Sequence, residues 1–413
     1  MTPHPASGVK PRSRAPRRAS RESKRHSPFT HLDPAVRVAL HFGFSPITTP
    51  FSITKSDRER ASALGEEAGE TAKPAPATLA SSLPEKVAVL RYCEERKLDE
   101  GPQPIELAYM TGGGAKSPER TLSLEIIGAG RAIAEAILVE TAFAILREEG
   151  HENLSLSVNS IGDRDSSSRF MRELGNYYRR NLAQLPPACK TLVRQSSLEA
   201  LLCAHEKCRA LADAAPKSLA FLGDASRKHL AEMLEYAEEL EIPYRVNPLL
   251  FGNRAFATDT IFEIRSSTGG AETLLAAGCR YNALARRLGW RRDSPAVGLK
   301  IILARAKRAP KRQSRYAPPK IFFLQIGTKA KLKSLKVIEL LRKAGIALEH
   351  ALAREKLLSQ QGSGENARHP YSLIIGQREA LEETVIIRNN TTRAQETVAI
   401  GEAAVYIKKL RIV

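Results

Sequence analysis

The chain has 413 residues, 42% of them hydrophobic, with a formal net charge of +19 and a pI near 9.8. That length allows two or three domains with substantial cores, and the charge biases the chain toward polyanions, nucleic acid being the usual partner. No apolar run reaches the roughly 20 residues needed to span a bilayer, and the five scattered cysteines form no disulfide framework, which argues for a reducing, cytoplasmic compartment.

Residues 1–30 read as a disordered basic arm. They carry Arg12, Arg14, Arg17 and Arg18 among eight basic residues against one acid, Glu22. The arm lacks the apolar region of a secretory signal. Its Arg/Ser richness would suit an organellar transit peptide, but Pro3, Pro5, Pro11 and Pro16 oppose an amphipathic helix. The rest of the chain stays basic without it. HLDPAVRVALHFGFSPITTPFSI predicts a helix broken at Gly43, then a strand. Residues 54–80 are polar and Pro/Ala-rich and read as a loop. SSLPEKVAVLRYCEERKL predicts a helix with Ser82 as cap and Glu85 three residues on.

Residues 109–120, YMTGGGAKSPER, look like a phosphate-binding loop. However, Ala115 rather than glycine precedes Lys116, and Pro118 stands where a helix should start. ELAYM before the glycines and TLSLEIIG after them are strand-like, so the segment is the turn of a hairpin.

GRAIAEAILVETAFAILREEG then predicts a long apolar helix and LSLSVNSIG a strand, and residues 163–242 are mostly helical. Within them Cys203, His205 and Cys208 invite a zinc reading. The spacing fits no standard site, a second cysteine pair is missing and the segment reads as helix, so structural thiols and no metal are expected. YRVNPLLF, ATDTIFEIRSS and ETLLAAGCRYNALARRLGW bring back strands, ending in a short helix. PAVGLKIILARAKR reads as a turn running into a helix. Residues 309–320, APKRQSRYAPPK, form a basic linker, with Lys311 and Arg312 as further candidate RNA contacts. Strands alternate with helices over 321–413, a small α/β domain.

Six of these segments, in order, resemble the histidyl-tRNA synthetase family of class II aminoacyl-tRNA synthetases. HFGFSPITTP resembles the end of motif 1, and LSLSVNSIGDRDSSSRFMREL the start of the family's insertion. TDTIFEIRSS, AAGCRYNALARRLG and PAVGLKIILARA resemble three consecutive blocks, the last being motif 3. YSLIIGQREALEETVIIRNNTTRAQETVAI resembles the anticodon-binding domain. The resemblance implies an α+β fold: a class II antiparallel sheet flanked by helices (31–308), a helical insertion (about 165–242) and a C-terminal α/β anticodon-binding-like domain. It also implies a homodimer, tRNA or other RNA as partner, and use of ATP and Mg²⁺ if ligase activity survives.

Under this resemblance ELAYM and TLSLEIIG are the motif 2 strands, and GGGAKSPER occupies the place of the motif 2 loop. Adenylate formation builds negative charge on the α-phosphate, which calls for a fixed guanidinium or a metal. Only Lys116 or Arg120 could approach it from this loop. In the family's histidine-reading loop, Gly252 falls where an arginine is expected, with Arg254 as a displaced substitute. Ala255 stands for an aspartate, and Phe256 and Ala257 for tyrosines. In motif 3 Ile302 replaces a glycine and Ala304 an acid, while Arg305 matches the family arginine. After motif 1, Lys86 and Val87 replace a glycine and a threonine. Glu85, Glu125, Arg280, Tyr281 and Arg305 match; Glu85, Glu125 and Tyr281 are the candidate histidine contacts and Arg305 the candidate ATP contact.

Each match also has a scaffold role open to it. Glu85 could cap its helix, Glu125 and Arg280 could pair in a buried setting, and Tyr281 could pack. The losses fall together on ATP and amino-acid contacts. The reading they favour is a synthetase-like protein with an impaired or inactive centre that retains RNA binding. The alternatives are a divergent, working histidine–tRNA ligase and a regulatory synthetase-like subunit of histidine biosynthesis, whose relatives normally lack the C-terminal domain.

Overall fold

The computed structural model describes residues 32–47, 51–67, 82–114, 117–268, 270–303, 319–354 and 369–412. The basic arm, the linker to residue 318, Lys116 and Arg305 therefore lie outside the described residues, as do Arg12, Arg14, Arg17, Arg18, Lys311 and Arg312.

The larger sheet has eight strands: β1 (Ser45–Pro46), β2 (Ile105–Gly114), β3 (Ser117–Ile127), β4 (Leu154–Ser160), β5 (Tyr244–Val246), β6 (Thr258–Thr268), β7 (Ala271–Arg280) and β8 (Ala296–Leu303). Their order is β1-β2-β3-β8-β7-β6-β4-β5. The edge pairs β1/β2 and β4/β5 are parallel and every other pairing is antiparallel. The glycine-rich stretch is the tip of the β2–β3 hairpin, with Gly112 at φ +78°, a region that favours glycine.

Period-two alternation splits β3 cleanly. Leu122, Leu124 and Ile126 enter the core shared with α1 (Pro34–His41) and α4 (Ile133–Glu148), while Ser123 and Glu125 point to the other face. There α3 (Leu83–Glu95) covers the sheet, packing Leu83, Val87 and Leu90 against Leu107, Tyr109, Cys279 and Tyr281.

Two segments differ from the sequence reading. Residues 55–67, read as loop, form the helix α2 (Lys55–Glu67). It is started by a reciprocal cap in which Thr54 N and Oγ1 donate to Asp57 Oδ2 and Asp57 N donates to Thr54 Oγ1. PAVGLKIILARA is not a turn into a helix but opens with the central strand β8. Its Val297, Leu299, Ile301 and Leu303 face the α4 core, while Gly298 and Lys300 face α3. Burial on both faces erased the alternation that marks a strand.

Between β4 and β5 runs a helical insertion, α5 (Arg164–Arg180), α6 (Pro187–Gln195), α7 (Ser197–Leu201), α8 (Glu206–Ala214) and α9 (Asp224–Glu239). The first four share a small core of their own, and α9 joins the main core through Leu230, Met233 and Tyr236. A short α10 (Leu284–Arg287) follows β7.

The C-terminal unit is a five-stranded sheet ordered β10-β9-β11-β12-β13, built from β9 (Ile321–Gln325), β10 (Leu348–His350), β11 (Tyr371–Ile375), β12 (Thr384–Asn389) and β13 (Gln395–Ala399). Its helices are α11 (Thr328–Lys343), α12 (Gln377–Glu382) and α13 (Ala403–Lys409). Helix α11 reaches back to the larger unit: Arg342 pairs with Glu148 of α4, and Lys333 lies 2.9 Å from Glu239 of α9. The α+β architecture with a helical insertion and a C-terminal α/β domain is the one the sequence implied.

Candidate functional site

Sheet register assembles the site. Tyr109, Ser123 and Lys300 form one cross-strand row, and Leu107, Glu125, Gly298 and Cys279 the next, on the face under α3. Helix α3 lowers Glu85 and Lys86 onto these rows. Ser82 makes no side-chain cap bond, and Glu85 turns away from the helix end toward the sheet, so its scaffold role is not capping.

Lys86 Nζ donates to both oxygens of Glu125, at 2.6 and 2.7 Å, with Lys86 1% and Glu125 0% exposed. Tyr281 donates to Glu125 Oε2 at 2.7 Å, and the Lys86 ammonium sits 4.6 Å above the Tyr281 ring. The Tyr109 hydroxyl lies 3.1 Å from Glu85 Oε1 and 3.2 Å from Glu125 Oε1. Ser123 Oγ donates to Glu85 Oε1 at 3.1 Å, and Lys300 Nζ to Glu85 Oε2. Two carboxylates thus meet two ammonium groups in a buried, closed set of bonds.

The low polarity of this place acts on every member. Burial raises the Glu125 pKa, and the charge and hydrogen bonds of Lys86 oppose that rise without cancelling it. Burial, then the nearby carboxylates, hold the Tyr109 and Tyr281 hydroxyls protonated well above the usual tyrosine range. Burial pushes the Cys279 thiol up to about 12.

The space around the charges is taken up by protein. A Cβ at Gly298 would stand 1.9 Å from Glu125 Oε2 and 2.2 Å from Lys86 Nζ, so only glycine lets the pair lie against β8. A Cβ at Gly252 would come 2.7 Å from the Ala257 Cβ. Phe256 is buried edge-on against Tyr281, ring centroids 6.4 Å apart, and Phe51 packs tilted against Tyr109 at 4.3 Å.

Of the residues singled out from the sequence, Glu85, Glu125 and Tyr281 are brought together. Arg120 is not with them. Alternation along β3 puts it on the opposite face, paired with Asp33 at the start of α1. Arg254 is exposed on a turn. The expected Glu125–Arg280 pair does not form. Arg280 is clamped by Glu135 of α4 (2.7 and 2.5 Å) and by the carbonyls of Ala129 and Arg131, with His229 2.6 Å from the same carboxylate. Burial would raise the Glu135 pKa, but Arg280 and His229 outweigh it and hold that carboxyl well below its usual range. Sequence reasoning took Lys86 as a loss and passed over Tyr109, Ser123 and Lys300. The available signal was a lysine beside Glu85, immediately before the apolar run VAVL.

An eight-stranded, mainly antiparallel sheet flanked by helices and followed by a separate α/β unit is the architecture of a class II aminoacyl-tRNA synthetase. Residues 320–410 match the family model of the anticodon binding domain. The chain is 26% identical over 333 residues to the histidine–tRNA ligase of Dehalococcoides mccartyi, covering 78% of this chain and 79% of that one. It is 28% identical over 293 residues to that of Halothermothrix orenii, covering 70% of each. The crystal structure of apo S. aureus histidyl-tRNA synthetase is similar at 20% identity and a TM-score of 0.49, covering 90% of this chain and 93% of that one. Over most of its length this chain is thus similar to histidine–tRNA ligases, and its C-terminal unit matches the anticodon binding domain.

Proposed function

We propose that this chain is a histidyl-tRNA synthetase-like protein that binds tRNA or another RNA and whose amino-acid-activating centre is impaired or inactive. The observation that carries the reading is the buried Lys86–Glu125 pair, closed by Tyr281, Tyr109 and Glu85. A site that binds an amino acid and a nucleotide keeps polar groups whose bonding is completed by the substrates. Here each carboxylate already has an ammonium and a hydroxyl on it, and a substrate ammonium would have to displace Lys86 from a desolvated pair. ATP and Mg²⁺ fit poorly against this set: its cations are engaged by carboxylates, and Arg120 belongs to the other sheet face.

Histidine-dependent ATP–pyrophosphate exchange tests the reading directly. Exchange indistinguishable from the reaction lacking histidine is expected; exchange within about a hundredfold of ordinary synthetase turnover, roughly 1–1000 s⁻¹, would make the chain a working, divergent histidine–tRNA ligase.

RNA binding is supported by the anticodon binding domain match and by exposed Lys329, Arg393, Lys408, Lys409 and Arg411 in that unit. Affinity for tRNA should fall steeply between low and moderate salt, as counterion release requires. An affinity independent of salt would remove the electrostatic part of the proposal. We extend the proposal to the homodimer implied by the family resemblance, which sedimentation of the full chain tests. All five cysteines are free of disulfides, in keeping with a reducing, cytoplasmic setting.

A further inference from the structure

The fold reopens the metal question in the insertion, away from the site above. The sequence reading lacked a fourth ligand for Cys203, His205 and Cys208, and took the segment as continuous helix. In fact α7 ends at Leu201 and α8 begins at Glu206, so Cys203 and His205 occupy the turn between them and Cys208 the first turn of α8. Helix α6 supplies the missing group, Cys189, fourteen positions before Cys203.

Cys189, His205 and Cys208 converge in one cluster, and Cys203 adjoins it beside Cys189. Cys189 Sγ and Cys203 Sγ are 3.8 Å apart, and the ligand atoms of Cys189, His205 and Cys208 all lie within 4.8 Å of one another. The Cys208 thiol is within hydrogen-bonding reach of both Cys189 and Cys203. Tetrahedral zinc with Zn–S bonds of about 2.3 Å places neighbouring sulfurs about 3.8 Å apart. That separation is far beyond a disulfide bond of about 2.05 Å. Cys189 is 5% and Cys208 0% exposed, which roots two ligands in the small core, while exposed His205 closes the set from solvent. The His205 ring receives only a 3.2 Å bond from Lys207 N to Nδ1, at the surface, so a metal can take that nitrogen without stranding a buried donor.

We propose that Cys189, Cys203, His205 and Cys208 form a structural Cys₃His zinc site that pins α6 to the α7–α8 turn. Three thiolates and one imidazole select zinc over the hard cations, and a shell with four protein ligands, Cys203 drawn in beside Cys189, leaves no open position for catalysis. The insertion has use for such a tie. Helices α6, α7 and α8 have 9, 5 and 9 residues, each too short to be stable alone, and the core they share is small.

The full chain, purified under reducing conditions, tests this by metal analysis and by Co(II) titration of the chelator-stripped protein. Expected are one equivalent of zinc per chain and the intense visible bands of tetrahedral, thiolate-bound Co(II). Cys203→Ser should lose the equivalent. His205→Ala, a surface change that spares the fold, should weaken Co(II) binding by at least about tenfold. The proposal is overturned if the folded wild type carries no stoichiometric zinc and takes up Co(II) without those bands. It is equally overturned if His205→Ala and Cys203→Ser bind Co(II) as the wild type does, or if the thiols yield only an oxidised Cys189–Cys203 pair that binds no Co(II) after reduction.

Discussion

Replacing Lys86 by methionine keeps most of the stem that packs over Tyr281 and removes the charge. Two unit charges separated by the observed 2.6–2.7 Å attract by roughly 6 kcal/mol at an effective dielectric constant of about 20. Removing one partner of a buried pair costs about 3–5 kcal/mol, because the other charge is left desolvated. At roughly 2–4 °C per kcal/mol for a core of this size, Lys86→Met should lower the melting temperature by about 6–20 °C. Trp290, the chain's single tryptophan, is buried in the same core, so its fluorescence reports the melting of this region. The sign with pH is fixed by Glu125. Its folded pKa is already raised by burial, so its contribution is fully present at low pH and is lost as pH climbs through the folded value. Without Lys86 that value climbs further, and the loss on substitution is larger at pH 8 than at pH 5. The double variant Lys86→Met/Glu125→Gln should sit closer to the wild type than either single change, since no unpaired charge remains. A Lys86→Met protein melting within about 2 °C of the wild type at pH 8 would refute the claim that this pair is buried and mutually required.

Gly298→Ala should destabilise by about 1–3 kcal/mol in the same fluorescence melt, because its methyl group meets the paired Lys86 and Glu125 against a rigid central strand; a neutral result would mean the pair has room to move. Glu106, on β2, faces the C-terminal unit beside Gly43 and His350, and burial pushes its pKa up to about 8, with Arg354 opposing the shift. A carboxyl raised in this way stabilises below its unfolded value and loses that contribution as pH rises through about 8. Glu106→Gln should therefore be more stable than the wild type at pH 8, by roughly 1–3 kcal/mol after discounting for its partial exposure, and equal to it near pH 4. Equal stabilities at pH 8 would show that Glu106 is not held protonated.

Elements whose two faces differ were legible in the sequence. The β2–β3 hairpin, α4 and the C-terminal α/β alternation follow from hydrophobic period and turn residues, and their order carried the family resemblance. β8 was not, because Val297, Leu299 and Ile301 bury one face while Gly298 and Lys300 serve the site on the other. α2 was legible in retrospect: Thr54 and Asp57 are spaced as a helix cap, but the Pro/Ala-rich stretch behind them dominated the reading. In the candidate site, Glu85, Glu125 and Tyr281 could be named from one sequence. Their partners could not, since Tyr109, Ser123 and Lys300 meet only through the register of three strands. The same holds for Cys189, which joins Cys203 and Cys208 only once α6 folds back on the turn before α8.

Loss of function by substitution usually leaves a hole, and a hole can be refilled by one reversion. On the reading proposed above, the residues that fill this place are coupled. Restoring a glycine at position 86 would leave Glu125 buried among Tyr109, Tyr281 and Cys279 with no cation, at the cost worked out above. A large side chain at position 252 would strike Ala257. Reopening a pocket therefore needs several simultaneous replacements on α3 and in the segment before β6, each destabilising alone. A charged cluster locked in this way behaves as part of the core, and substitutions in it act first through stability.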